Sequence, residues 1–200
     1  MTTTLKGDGY ADDTALFLSD PCQITRAIQI VNDFGAVSGL LLHLCKTIAI
    51  ALHPDGLSAD INWTWQITLQ PASAFVKYLG LQVGSTNGAE HSWHIALDQL
   101  KTRVRLASQK TLTIEQRAIV ASAVILAKLL YIARHAWPTT RTVRLMEKYI
   151  KNYVWHGVFC TLDTRCTTWM TGTLAGLRRK EGGLAVPNLR AELLALAAVT

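Results

Sequence analysis

Residues 9–18 read G-Y-A-D-D-T-A-L-F-L. Asp12 and Asp13 stand side by side in a run of small, aromatic and apolar residues. Adjacent carboxylates repel, and apolar company is costly for them unless a cation meets them. Aspartate is also a common turn residue, because its side chain bonds nearby backbone. The flanking pattern is strand-like, so residues 10–18 are expected to form a hairpin with its turn near the aspartates and its arms in the core. A rigid tip of that kind could aim Asp12 at a divalent cation, since Mg²⁺ takes hard oxygen ligands. An ordinary solvated turn is the competing reading of a bare Asp-Asp pair.

Outward from this stretch, Ile24, Ala27, Ile28, Val31 and Phe34 recur at helical spacing. Asp20-Pro21 is a plausible start for that helix, and Gly35 or Gly39 a plausible stop. T-I-A-I-A-L (47–52) reads as a short buried strand and N-W-T-W-Q-I-T (62–68) as a half-exposed one, with Pro54-Asp55-Gly56 turning between them. F-V-K-Y-L-G-L-Q-V-G (75–84) reads as a further strand or hairpin broken at Gly80.

After residue 90 the period changes. Trp93, Leu97, Leu100, Val104 and Ala107 step by fours and threes, which predicts a helix with one apolar stripe. Thr113 and Gln116 form a capping-box pattern ahead of a second helix, which buries Ala118, Ile125, Leu129 and Ile132 and ends at Pro138. This apolar stretch contains Lys128 and is short for a membrane span, so a packed helix is expected. A third helix is expected over residues 140–155, with Val143, Met146, Ile150 and Tyr153 inward and Gly157 after it. Residues 157–190 read as irregular, and a last helix begins near Asn188.

Half of the 200 residues are hydrophobic, enough for one substantial core and against disorder. The formal charge is +6, but its distribution says more. Residues 1–60 hold three basic groups against seven acids, whereas residues 101–151 hold eleven basic groups and only Glu115 and Glu147 as acids. An acidic front and a basic middle suit cations and phosphates respectively. Lys101, Arg103, Arg105 and Lys110 lie off the apolar stripe of their helix; they form either a solvated face or a phosphate-contacting one. Four cysteines are too few for a disulfide framework, which points to free thiols in a reducing, intracellular compartment. No apolar leader is visible at the start. His156, Cys160 and Cys166 match no standard zinc spacing, and no Ser-His-Asp, P-loop or dinucleotide fingerprint is present.

Y-A-D-D followed by T-A-L-F-L resembles the active-site hairpin of reverse transcriptases of non-LTR, LINE-type retrotransposons. F-G-A-V-S-G-L-L-L-H-L-C-K-T (34–47) resembles the family's next motif, and K-Y-L-G (77–80) its primer-gripping hairpin. L-T-I-E-Q-R-A-I-V (112–120), Trp137-Pro138, Y-V-W-H-G (153–157) and E-G-G-L-A-V-P-N-L (181–189) resemble its thumb and the segment beyond, in the same order. Departures are His43, where asparagine is common, and Cys45, where a small polar residue is usual.

The resemblance implies an α+β fold: a small antiparallel palm sheet with one helix, followed by a helical thumb bundle. It implies a partial palm over residues 1–90, a thumb over 91–156, and an irregular segment with the start of a helix over 157–200. Asp12 and Asp13 would be the catalytic acids and Mg²⁺ ligands, Lys46 would lie near the leaving pyrophosphate, and Tyr78, Leu79 and Gly80 would support the primer. The implied reaction is nucleotidyl transfer onto a primer 3′-OH, with an RNA template, a DNA primer, dNTP as substrate and no membrane partner. The family's fingers and its other catalytic aspartate lie upstream of Y-A-D-D and are not in these residues, so the isolated chain is expected not to polymerise. Two other classes are a non-catalytic nucleic-acid-binding remnant and a helical interaction module.

Overall fold

The protein is described by a computed structural model over residues 6–53, 67–71, 73–161, 168 and 170–199. The turn expected at Pro54-Asp55-Gly56, most of the strand expected over 62–68, and Cys166 lie outside these residues. The fold is mixed α and β, in two compact units, Met1–Thr86 and Asn87–Thr200.

The first unit is built from short pairings. Strands β1 (Lys6–Tyr10) and β2 (Asp13–Phe17) form an antiparallel hairpin with Tyr10 opposite Asp13. Ala11 and Asp12 are therefore the whole turn, and Ala11 takes φ +54°. A positive φ at the first turn residue is what lets a two-residue connection follow the right-handed twist of its strands. Helix α1 (Ile24–Ser38) follows a 3-10 turn, Pro21–Gln23, whose first N–H groups are capped by Asp20: its carboxylate accepts from the Cys22 N–H at 2.8 Å. That bond holds the Asp20 carboxyl below its usual range. Gly39, at φ +78°, ends the helix. Strands β3 (Ile48–Ala49) and β4 (Thr68–Leu69) pair in parallel, and β5 (Val76–Tyr78) and β6 (Leu81–Val83) antiparallel. The β5–β6 turn is Leu79 and Gly80, at φ +47° and +83°, the paired positive values that such turns favour.

Three expectations fail here. The arms of the aspartate hairpin are not core: Tyr10 is 69% and Phe17 53% exposed, and only Ala15 and Leu18 are half-buried. The register explains it. Gly7 and Gly9 share one face and offer no side chain to pack, while Lys6, Asp8, Tyr10 and Asp13 crowd the other with polar groups. Nor is there one antiparallel sheet among the described residues, but three separate two-stranded pairings, one of them parallel. The strand expected to be buried over 47–52 is reduced to two residues, with Ile48 exposed.

The second unit is helical. Helix α2 (Gly88–Ser108) buries Trp93, Leu97, Leu100 and Val104 of the expected stripe and adds Ala96, while Ala107 is only half-buried. Thr113 and Gln116 close their capping box on α3 (Ile114–Val120) in both directions. The helix then widens into a π segment, Ala121–Leu126, and continues as α4 (Ala127–His135). Ile125 and Leu126 are both buried, although a regular helix sets adjacent residues about 100° apart. Ile114–His135 is long and apolar enough to cross a membrane by length and composition. In the structure its Ala121, Ile125, Leu129 and Ile132 are packed in the unit's core.

Helix α5 (Thr140–His156) buries Met146, Tyr149, Ile150, Tyr153 and Val154 and ends on Gly157 at φ +73°. After α6 (Gly172–Gly176), the chain doubles back: the Leu184 and Val186 N–H groups donate to Ala175 O, and the Ala185 N–H to Leu177 O. Gly183 is needed there, because a Cβ would collide with the Leu177 backbone. Helix α7 (Leu189–Val199) is tied to α5 by a bidentate pair, with Arg190 Nε and Nη2 donating to the Glu147 carboxylate at 2.7 and 3.0 Å.

Candidate functional site

The aspartate hairpin presents two kinds of carboxylate. Asp12 is a turn residue at the tip, and Asp13 opens β2; both are exposed. Cross-strand register places Lys6, Asp8, Tyr10, Asp13, Ala15 and Phe17 on one face. Asp8 stands opposite Ala15, so it is the diagonal neighbour of Asp13, at a typical spacing of about 7–8 Å.

A second hairpin reaches this face. Tyr78, the last residue of β5, donates its hydroxyl to the backbone oxygen of Asp8 at 3.3 Å. Partial burial pushes the Tyr78 hydroxyl above its usual pKa, and the negative charges of Asp8 and Asp13 push the same way. Segments 70 residues apart in the chain therefore meet: the K-Y-L-G hairpin stands against the hairpin that carries the acids. Tyr78 keeps its proton in this setting and can donate a hydrogen bond beside two carboxylates.

Lys46 ends the 3-10 turn Leu44–Lys46 and is exposed. Among the described residues it makes no ion pair with Asp12 or Asp13. Leu79 and Gly80 form the turn beside Tyr78. Asp12 and Asp13 supply the oxygen donors that Mg²⁺ prefers. No group of three or more His, Cys, Asp or Glu that could hold a metal ion occurs among the described residues.

The four basic residues that the sequence singles out, Lys101, Arg103, Arg105 and Lys110, do not form one stripe. At roughly 100° per residue, Lys101 and Arg105 lie on one flank of the buried Leu97–Leu100–Val104 seam and Arg103 on the other. Lys101 is engaged by Asp98 at 3.0 Å, which offsets its charge locally. Arg103, Arg105 and Lys110 are exposed. Lys110 lies beyond the end of α2, next to a polar cavity.

Asp8 is a residue that the sequence analysis did not single out. Strand alternation held the signal: a two-residue turn puts positions 8, 10, 13 and 15 on one face. Compared with protein-family models and with curated proteins, the chain matches none.

Proposed function

We propose that the chain is the active-site-hairpin and thumb portion of a non-LTR-type reverse transcriptase, an RNA-directed DNA polymerase. The observation that carries this reading is the meeting of two motifs. Y-A-D-D spans a two-residue turn, with Tyr10 and Asp13 paired on either side of it, and the tyrosine of K-Y-L-G bonds the same hairpin at Asp8. The family uses those two hairpins together, one at the chemistry and one at the primer end. In this reading the first unit is the end of a palm and the second a thumb. Asp12 and Asp13 hold Mg²⁺ together with a further ligand, Lys46 lies toward the pyrophosphate, and Tyr78, Leu79 and Gly80 support the primer strand. Arg103, Arg105 and Lys110 meet the backbone of the template–primer duplex, reading charge and not sequence.

The 200 residues carry two of the family's carboxylates, and a two-metal transfer needs another. The chain is therefore expected to bind an RNA–DNA template–primer but not to extend it. Binding measured by fluorescence anisotropy should fall linearly on a log–log plot against salt. Replacing Arg103, Arg105 and Lys110 by Gln should flatten that slope by roughly 0.9 for each phosphate no longer neutralised. Binding absent at low salt, or indifferent to salt, would contradict the reading. Template-dependent dNTP incorporation that disappears in Asp12→Asn would show that the chain is a more complete enzyme than proposed.

A second reading, a nucleic-acid-binding remnant with no catalytic role for Asp12, is favoured by the different positions of the two acids, one in the turn and one in β2. It predicts the same salt dependence and no effect of Mg²⁺ on the hairpin's resonances.

A further inference from the structure

The helical unit contains a polar cavity of roughly 200 Å³. Its wall is drawn from three places: Ser108, Lys110 and Thr111 at and beyond the end of α2, Arg117 from α3, and Tyr153 and His156 from the last turn of α5. No carboxylate lines it among the described residues. Three buried polar atoms without a hydrogen-bond partner belong to its wall residues: Arg117 Nε, Tyr153 Oη and His156 Nε2. No other described residue contributes a buried side-chain atom of this kind. Tyr153 is fully buried, at 0% exposure. Burial raises the pKa of its hydroxyl while the Arg117 charge pulls it down, so guanidinium and hydroxyl act on each other across this wall.

Buried polar groups are nearly always satisfied, because leaving one unpaired is costly. Three orphans at one cavity mark a place where a partner belongs. Ser108 Oγ is already bonded, to Val104 O at 2.8 Å and Gly157 O at 3.1 Å. The remaining side chains offer mostly donors, two of them permanently cationic, from elements that approach in different directions. Gly157 is part of the arrangement: a Cβ there would come within 2.9 Å of Arg117 Nη1, so a side chain would displace the guanidinium.

We propose that this cavity binds a phosphate-type oxyanion, with Arg117 and Lys110 supplying charge and Tyr153, His156 and Thr111 supplying directed hydrogen bonds. A tetrahedral anion presents acceptors in several directions, which matches donors converging from three elements and a wall without acids. The occupant is either a free phosphate or phosphomonoester, or a phosphate of a nucleic-acid backbone. The inference stands on the second unit alone and does not depend on the reading of the aspartate hairpin.

Calorimetric titration of the full chain with inorganic phosphate at low ionic strength tests it. Tyr153→Phe removes one oxygen and nothing else. It should weaken phosphate binding about tenfold, as expected when a hydrogen bond to a charged group is removed, without lowering the thermal midpoint. Arg117→Gln should weaken it further, and Arg134→Gln, exposed on α4 and outside the cavity, should leave it unchanged. Adding an RNA–DNA duplex without terminal phosphates separates the two sources. Displacement of phosphate by the duplex, with Tyr153→Phe weakening both ligands, assigns the cavity to backbone phosphate; phosphate retained beside bound duplex assigns it to a free phosphate or monoester. No phosphate binding, or equal affinity in the wild type and Tyr153→Phe, would overturn the proposal. A lowered midpoint with unchanged affinity in Tyr153→Phe would also overturn it, by assigning the hydroxyl to a structural water.

Discussion

The two units of this chain treat apolar surface in opposite ways. In the helical unit Leu100, Ile125, Leu129 and Tyr153 have no exposed surface, and each lies on the inward face of a long helix. In the first unit the only buried apolar side chains among the described residues are Ala27, Ile28 and Ala51. Its larger ones face out: Phe34 is 61%, Val37 91% and Leu41 93% exposed. The difference follows from architecture. The helices of the second unit bury their apolar stripes against one another, whereas α1, which carries Phe34 and Val37, is the one α-helix among the described residues of the first unit, and its two-stranded ribbons have no second layer. The helical unit is held by its core. The hairpin unit is held by backbone pairing, turn geometry and a few polar bonds such as Tyr78 to Asp8, which leaves its acids open to a ligand.

The largest test of that contrast is a pair of truncations. Leu129→Ala should destabilise the helical unit by about 2–5 kcal/mol in urea unfolding, since it leaves a cavity in a closed core. Phe34→Ala removes a larger side chain yet should change stability by no more than about 0.5 kcal/mol, because little of it is covered. Equal effects would break the comparison.

A smaller effect is expected at Trp93, whose indole N–H donates to Ala136 O at 2.9 Å inside the unit. Trp93→Phe keeps most of the packing but leaves that carbonyl without its donor, at a cost of about 1–3 kcal/mol by the same assay. An unchanged midpoint would mean that the bond is replaced by water.

The smallest effect is at the surface. The Asp98 carboxyl is held below its usual range, first by the Lys101 hydrogen bond and then by the charges of Lys101 and His94. A lowered folded-state pKa stabilises above the unfolded value, and that stability disappears as pH falls through the folded one. Acid titration of stability should therefore show a slight extra decline below the normal aspartate range. That decline should vanish in Asp98→Asn and shrink with salt.

The helices were legible because period and punctuation agreed. The stripe at 93, 97, 100 and 104, the capping box at Thr113, and Gly39 and Gly157 as left-handed stops each express local physics. The two hairpins were legible in part, from Asp and Gly at their turns: the first, expected over 10–18, runs from Lys6 to Phe17, and the second had read as a strand or a hairpin. Burial was not. Nothing local in A-L-F-L distinguishes a covered ribbon from an open one, and Phe34 fits a helical stripe whether or not a partner meets it. The π segment was also hidden, since a widened turn leaves the residue types unchanged. Asp8 and the wall of the Arg117–Tyr153–His156 cavity were missed because both depend on register or on segments far apart in the chain.

The reverse transcriptase reading is tested most directly by placing a photoreactive group at the 3′ terminus of a DNA primer annealed to an RNA template. Crosslinks to the full chain are then mapped by mass spectrometry. The account predicts that they concentrate on residues 6–17 and 76–83, the two hairpins joined by Tyr78 and Asp8, and move to the second unit when the group is placed inside the duplex. Crosslinks from the 3′ terminus confined to the helical unit, or identical maps for terminal and internal probes, would contradict it.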